Sequence, residues 1–261
     1  PYYDDKIFDK YFDGNPIPMN TLHPQAHIWS SRGCPFKCIF CVWPAAMTGN
    51  DPNGDGKRSV RQYTPEYIES FVKELTGKYK FKAIYFDDDT FNIGNRHTEK
   101  MSEIMSQFNI PWFAMCRADT SKKETWKKMA DSGCKGVKIG IESGSQVVVD
   151  KIVNKHLDLK YAQEVVSYIR SLDMSVHGTF TYGLPGETKE NMIETKKFIH
   201  STDFSTVQES GTAEIEGTPL HALNNAESLT AYPGANIDAN YDRQIDGGKK
   251  WQSLVKDLQD N

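Results

Sequence analysis

The sequence predicts an α/β protein, a partial (β/α)6 TIM-like barrel of parallel strands. Two observations carry this. Apolar runs of strand length alternate with amphipathic helical stretches six times along the chain, and repeated one-way alternation implies a parallel sheet joined by right-handed crossovers. Polar and glycine-rich clusters fall at the ends of those runs, where barrels of this kind keep their working residues. A doubly wound open sheet is the alternative, but it would leave the cysteine-rich loop described below without an explanation.

Taken in order, residues 1–25 read as an irregular lead-in rich in Asp, Lys, Tyr and Pro, with aromatics such as Tyr2, Phe8 and Tyr11 packed against a neighbour. The stretch 27–31 predicts a short strand running into Arg32-Gly33-Cys34. Gly49, Asn50, Pro52, Asn53, Gly54 and Gly56 predict a loop, with 50–57 as a candidate lid. Thr64-Pro65 is a helix opening, a cap followed by Pro at the first helical position, and Ile68, Phe71, Val72 and Leu75 follow at helical spacing. Strands are expected over 81–86, 112–116, 136–141, 175–182 and 204–208, and helices over 96–108, 122–132, 159–172 and 189–200, with a further helical stretch near 146–153. The barrel core is expected over 26–222. A C-terminal extension, 223–261, would be loop and turns with a last helix near 249–258.

Composition sets limits. The net charge is −4, which gives no electrostatic reason to expect nucleic acid. No apolar run approaches the ~20 residues of a membrane span, and no signal peptide opens the chain. The chain begins with Pro1 rather than Met, as a processed or excerpted chain would. Its 5 cysteines are an odd number with three of them clustered, so a disulfide scaffold is not expected and a reducing, cytoplasmic setting is.

The chemistry centres on Cys34-Pro35-Phe36-Lys37-Cys38-Ile39-Phe40-Cys41. Thiolates suit zinc, copper(I) and iron–sulfur clusters. A cubane cluster normally takes four cysteines. Three in one tight loop leave one iron to bind something other than protein. A structural zinc loop in a non-catalytic protein is the alternative, but it wants four ligands, and Cys116 and Cys134 are far off in sequence.

The Cys-x3-Cys-x2-Cys pattern, with Phe40 just before its last cysteine, resembles the cluster motif of the radical S-adenosylmethionine (SAM) enzymes. The resemblance implies that Cys34, Cys38 and Cys41 hold a [4Fe–4S] cluster whose open iron chelates SAM. Reduction by an external one-electron donor would then give a 5′-deoxyadenosyl radical that abstracts hydrogen from substrate. By the same resemblance Phe40 contacts adenine through its backbone. Gly140-Ile141-Glu142-Ser143-Gly144 resembles a ribose-binding strand end, with Glu142 on the diol and Ser143 adding a hydroxyl; the residues alone also allow a helix cap. Arg117 is a candidate for the SAM carboxylate or for a salt bridge to Asp119 or Asp89. The run Asp87-Asp88-Asp89 resembles the acidic strand end that meets the SAM amino group; alternation splits its members between two sides, leaving Asp88 and Asp89 both candidates. Trp43 would cover the cluster or floor the pocket, and His177 and Tyr182 read as packed core.

With Gly183-Leu184-Pro185-Gly186-Glu187-Thr188, in which Gly183 and Pro185 are candidate cofactor contacts, these motifs resemble the subfamily that often carries an N-terminal cobalamin-binding domain. Many of its members are methyltransferases. This chain shows no Asp-x-His-x-x-Gly cobalt-binding loop. The expectation is therefore a radical SAM enzyme acting on a small molecule or peptide, with any cobalamin supplied by a separate chain or a missing upstream domain. The sequence names no substrate.

Overall fold

The structure, a computed structural model, describes residues 22–42 and 59–224. The expectations for the lead-in up to residue 21, Trp43, the 50–57 loop and the stretch from 225 onward lie outside these residues. The chain runs through β1 (Gln25–Ile28), β2 (Ser31–Arg32), β3 (Arg61–Gln62), α1 (Pro65–Gly77), β4 (Ala83–Phe86), α2 (Asn95–Met105), β5 (Trp112–Cys116), α3 (Lys123–Asp131), β6 (Cys134–Glu142), α4 (Leu159–Ser171), β7 (Ser175–Tyr182), α5 (Lys189–Ser201), β8 (Thr206–Gly211) and α6 (Pro219–Asn224).

One six-stranded sheet has the order β1-β4-β5-β6-β7-β8, with every neighbouring pair parallel. Spatial order follows chain order, so each crossover lands on the next strand and the sheet curls into a barrel wall. β1 and β8 stay at its two edges, which makes the barrel partial. β2 and β3 form a separate antiparallel pair.

Local chemistry explains the helix starts. Thr64 caps α1 by accepting from the Tyr67 N–H at 3.3 Å, and Pro65 follows at the first turn. Asp158 caps α4, and Thr188 with Asn191 forms a capping box on α5.

The two faces of the sheet differ. Ile84, Phe86, Trp112, Ala114, Val137, Ile139 and Val176 pack into one core with helical residues such as Val72, Met101, Trp126 and Val166. Strand alternation sends the residues between them to the concave side, where Ala83, Tyr85 and Phe113 form a small cluster with Leu22.

Four elements differ from the sequence reading. The strand expected over 27–31 is divided: β1 ends at Ile28, and Ser31 opens β2 in the separate pair. The sixth strand begins at Thr206 rather than 204. Phe204 instead packs edge-on against Phe180 at 5.6 Å, and an edge strand reading Thr-Val-Gln-Glu-Ser-Gly lacks an apolar signal. The stretch expected near 146–153 is helical over 146–152, but it passes into a π-turn, Val148–Ile152, in place of an α-helix. The short β2–β3 pair, between polar residues, carries no periodicity to detect.

Candidate active site

The three-cysteine loop lies at the C-terminal end of the sheet and is held from several directions. It opens at Gly33, whose φ is +95° and whose missing Cβ would sit 2.1 Å from the Ser59 carbonyl oxygen. No other residue fits there without moving the backbone. The Gly33 N–H donates to Asp89 Oδ2 at 2.5 Å, and Cys34 Sγ lies 3.4 Å from Thr90 Oγ1. The Cys41 N–H closes a turn on the Cys38 carbonyl at 3.1 Å. On the far side the Ile39 N–H donates to the Val153 carbonyl, Asn154 Nδ2 to the Lys37 carbonyl, and the Leu220 N–H at the start of α6 to the Ile39 carbonyl. Cys38 and Phe40 rest on Val148, Val153 and Leu184. Burial pushes the Cys38 thiol up, opposed by the positive charge of Lys155 and Arg117.

Alternation separates the aspartates after β4. Asp88 continues the helix-facing side and is spent on the chain leading into the loop: Ser30 N–H donates to Oδ2 at 3.1 Å, and the Ser30 and Ser31 hydroxyls to Oδ1 at 2.9 and 2.5 Å. Asp89 faces the cysteine loop. Its Oδ1 is buried without a hydrogen-bond partner among the described residues, and burial raises its carboxyl above the ordinary range.

Glu142 ends β6 beyond a bulge, in a left-handed conformation at φ 73°, an uncommon setting for a residue with a side chain. The bulge folds its carboxylate back over Gly140, where an added Cβ would sit 2.3 Å from Oε1. Lys155 Nζ donates to Oε1 at 3.0 Å, and Thr181 Oγ1 to Oε2 at 3.3 Å. Arg117 forms a bidentate pair with Asp119 at 2.8 and 2.7 Å. It also donates to the Lys155 carbonyl at 2.9 Å and places its guanidinium 3.6 Å from the centre of the Phe36 ring. Ser143 is fully buried; its Oγ sits 3.0 Å from Thr195 Oγ1 and accepts from the Ser145 N–H at 3.1 Å, tying the end of β6 to α5. In the turn after β7, Gly183 and Leu184 donate their N–H groups to Glu187 Oε2 at 2.7 and 3.2 Å, and Pro185 is half-buried beside them.

The structure thus brings Cys34, Cys38, Asp89, Arg117 and Glu142 to one end of the barrel, while Asp88 and Ser143 are engaged on its outer side. Sequence reasoning missed Lys155 and Asn154. They follow the π-turn, whose return brings Lys155 to a carboxylate 13 residues earlier; neither motif nor periodicity marks that return.

The donor set can be tested against the groups it would hold. Among the described residues no three His, Cys, Asp or Glu side chains converge as ligands of one metal ion. By donor chemistry, three thiolates suit three irons of a cubane, whereas a structural zinc takes four ligands. The orphaned Asp89 oxygen suits an amino group, and the buried Glu142 suits a diol.

A family model described as the radical SAM superfamily matches residues 30–199. An uncharacterised methyltransferase of Pyrococcus horikoshii is 30% identical over 88% of this chain and 47% of its own length. The cytidylyl-2-hydroxyethylphosphonate methyltransferase of Streptomyces wedmorensis is 27% identical over 81% of this chain and 40% of its own. Among solved structures, the radical S-adenosylmethionine methyltransferase TsrM from Kitasatospora setae, with cobalamin and a [4Fe-4S] cluster bound, matches with a TM-score of 0.65 at 17% identity, over 75% of this chain and 36% of that one. Coproporphyrinogen III oxidase from Escherichia coli matches at 0.57 and 12% identity, over 90% and 52%. At these identities the structures speak for the fold. The chain spans under half the length of both curated methyltransferases.

Proposed function

Because the chain belongs to the radical SAM superfamily, a family of enzymes that work with a [4Fe–4S] cluster and SAM, we propose that residues 26–222 are the catalytic barrel of a radical SAM methyltransferase. Cys34, Cys38 and Cys41 hold the cluster. Asp89 receives the SAM amino group through its orphaned oxygen. Glu142 accepts from the ribose hydroxyls, with Lys155 holding the carboxylate in place. Arg117 stacks on Phe36 and steadies the cluster loop; its unused donor capacity faces the SAM carboxylate. Phe40, Gly183 and Pro185 border the adenine. Asp88 and Ser143 act one step back, on the chain segments that carry these groups.

When bound, the cluster and SAM supply a primary carbon radical able to take hydrogen from an unactivated carbon. The protein supplies binding, orientation and exclusion of water. The methyltransferase assignment follows the names of two relatives. Cobalamin, bound in TsrM and OxsB structures that share the fold, would come from another domain or chain, and the reducing electron from an external donor. The substrate is a small molecule or peptide. No helix among the described residues is long and apolar enough to cross a membrane, and an oxygen-sensitive cluster suits the reducing cytoplasm.

The observation that carries this reading is the convergence of the three-cysteine loop with Asp89 and the Glu142–Lys155 pair at one end of the sheet. Anaerobic reconstitution tests it. The chain should take up iron and acid-labile sulfide in equal amounts, and Cys34→Ala, Cys38→Ala and Cys41→Ala should each lose them. Zinc in place of iron would refute it. S-adenosylhomocysteine formed only when cobalamin is added would support methyl transfer.

A further inference from the structure

Thr90 follows the three aspartates and takes no part in the reading above. It is 4% exposed. Its Oγ1 lies 3.4 Å from Cys34 Sγ and donates to the Asp89 carbonyl at 2.6 Å. The backbone on either side is fixed: the Asp89 carboxylate accepts from the Gly33 N–H, and the Phe91 N–H donates to the Met115 carbonyl at 2.7 Å. With Cys34 a free thiol, both contacts of the hydroxyl are satisfied. The Cys34 S–H donates to Thr90 Oγ1, and Thr90 donates to the Asp89 carbonyl. Binding to iron takes the thiol proton away, and the sulfur can then only accept. Thr90 is left between two acceptors with one hydrogen to give.

We propose that Thr90 is a positioning residue for the cluster: once Cys34 is bound to iron, the Thr90 hydroxyl turns from the Asp89 carbonyl and donates to the Cys34 sulfur. The proposal deepens the function above and rests on it for the presence of the cluster. Two things favour the turn. A hydrogen bond to a charged acceptor is about twice as strong as one between neutral groups. The turn itself rotates one hydrogen about the Cβ–Oγ bond and moves no heavy atom. Its consequence is electronic, because hydrogen bonds to the sulfurs help set the potential of a cluster. A donor stabilises the reduced, more negative state, so Thr90 eases reduction by the external donor. It also ties Cys34 to the strand end that carries Asp89, the residue proposed to receive the SAM amino group.

The test is a redox titration of the anaerobically reconstituted chain, with the reduced cluster read by electron paramagnetic resonance. Thr90→Val removes the hydroxyl and keeps the branched shape. It should shift the reduction equilibrium about tenfold toward the oxidised cluster, a midpoint about 59 mV lower for one electron. Thr90→Ser keeps a hydroxyl and should restore the wild-type midpoint. Thr98→Val removes a buried hydroxyl on α2 that donates to the Gly94 carbonyl, and it should leave the midpoint unmoved. After exchange into heavy water, the wild-type cluster should show a deuterium coupling that Thr90→Val lacks. If Thr90→Val takes up no cluster while Thr90→Ser does, that coupling decides: it should be present in both the wild type and Thr90→Ser. Equal midpoints in wild type and Thr90→Val, a Thr90→Ser midpoint that matches valine, cluster loss from both variants, or no deuterium coupling in the wild type would overturn this proposal alone. A wild type that takes up no cluster would overturn it together with the reading it rests on.

Discussion

Replacing Lys155 by Met should cost about 3–5 kcal/mol of stability, the range for removing one partner of a buried ion pair. The pair is short, 3.0 Å, and its side chains are 7% and 11% exposed. At an effective dielectric of ~20, charges at that distance attract by about 5 kcal/mol. Met keeps the bulk of the stem and removes the charge. Glu142 is then left as a desolvated carboxylate in its left-handed setting, with the longer Thr181 contact at 3.3 Å as its remaining side-chain hydrogen bond among the described residues. Glu142→Gln combined with Lys155→Met should recover much of the loss, since two neutral groups no longer need each other. Urea unfolding of the iron-free chain, run as a double-mutant cycle, measures both quantities. A Lys155→Met loss below about 1 kcal/mol, or additivity of the two changes within ~0.5 kcal/mol, would refute the coupling.

Three further outcomes follow. Gly33→Ala places a Cβ 2.1 Å from the Ser59 carbonyl oxygen at φ +95°, so it should cost at least the ~1–3 kcal/mol of a strained backbone and sharply reduce iron uptake; normal iron content would contradict it. Glu187 is buried, and burial raises its carboxyl from 4.5 to about 7. The fold therefore favours the protonated form, and this contribution to stability is present below pH 4.5 and lost as pH rises to about 7; Glu187→Gln should flatten that fall in urea melts taken from pH 4.5 to 8. Cys116 and Cys134 are buried, and burial pushes both thiols up, Cys134 to about 12. In the iron-free chain iodoacetamide should therefore label the partly exposed Cys34 and Cys41 before Cys116 and Cys134, as peptide mass spectrometry would show.

The barrel was legible because its strands announce themselves. β5 and β7 stand where apolar runs place them, Trp112–Cys116 and Ser175–Tyr182, since both of their faces are largely buried. β8 is polar and lies at an edge, so its start was displaced toward Phe204, an aromatic that serves the core without belonging to the strand. The site was legible to the extent that a motif is local. The cysteine loop, Asp89 and Glu142 each end or follow a strand, and strand ends meet in a barrel. What sequence could not provide was partnership. That Asp88 serves Ser30 and Ser31, that Arg117 lies on Phe36, and that Lys155 returns to Glu142 depend on which way a bulge and a π-turn send the chain. Those are matters of packing, with no linear spacing to mark them.

In the function proposed above, the loop of Cys34, Cys38 and Cys41 makes this chain a SAM-cleaving enzyme. The most direct measurement counts SAM products by mass spectrometry after anaerobic reconstitution and reduction, with the triple Cys34/Cys38/Cys41→Ala variant alongside. The wild type should form 5′-deoxyadenosine and the variant none. A wild type that holds iron and sulfide yet forms no 5′-deoxyadenosine, or a variant that forms as much as the wild type, would contradict it.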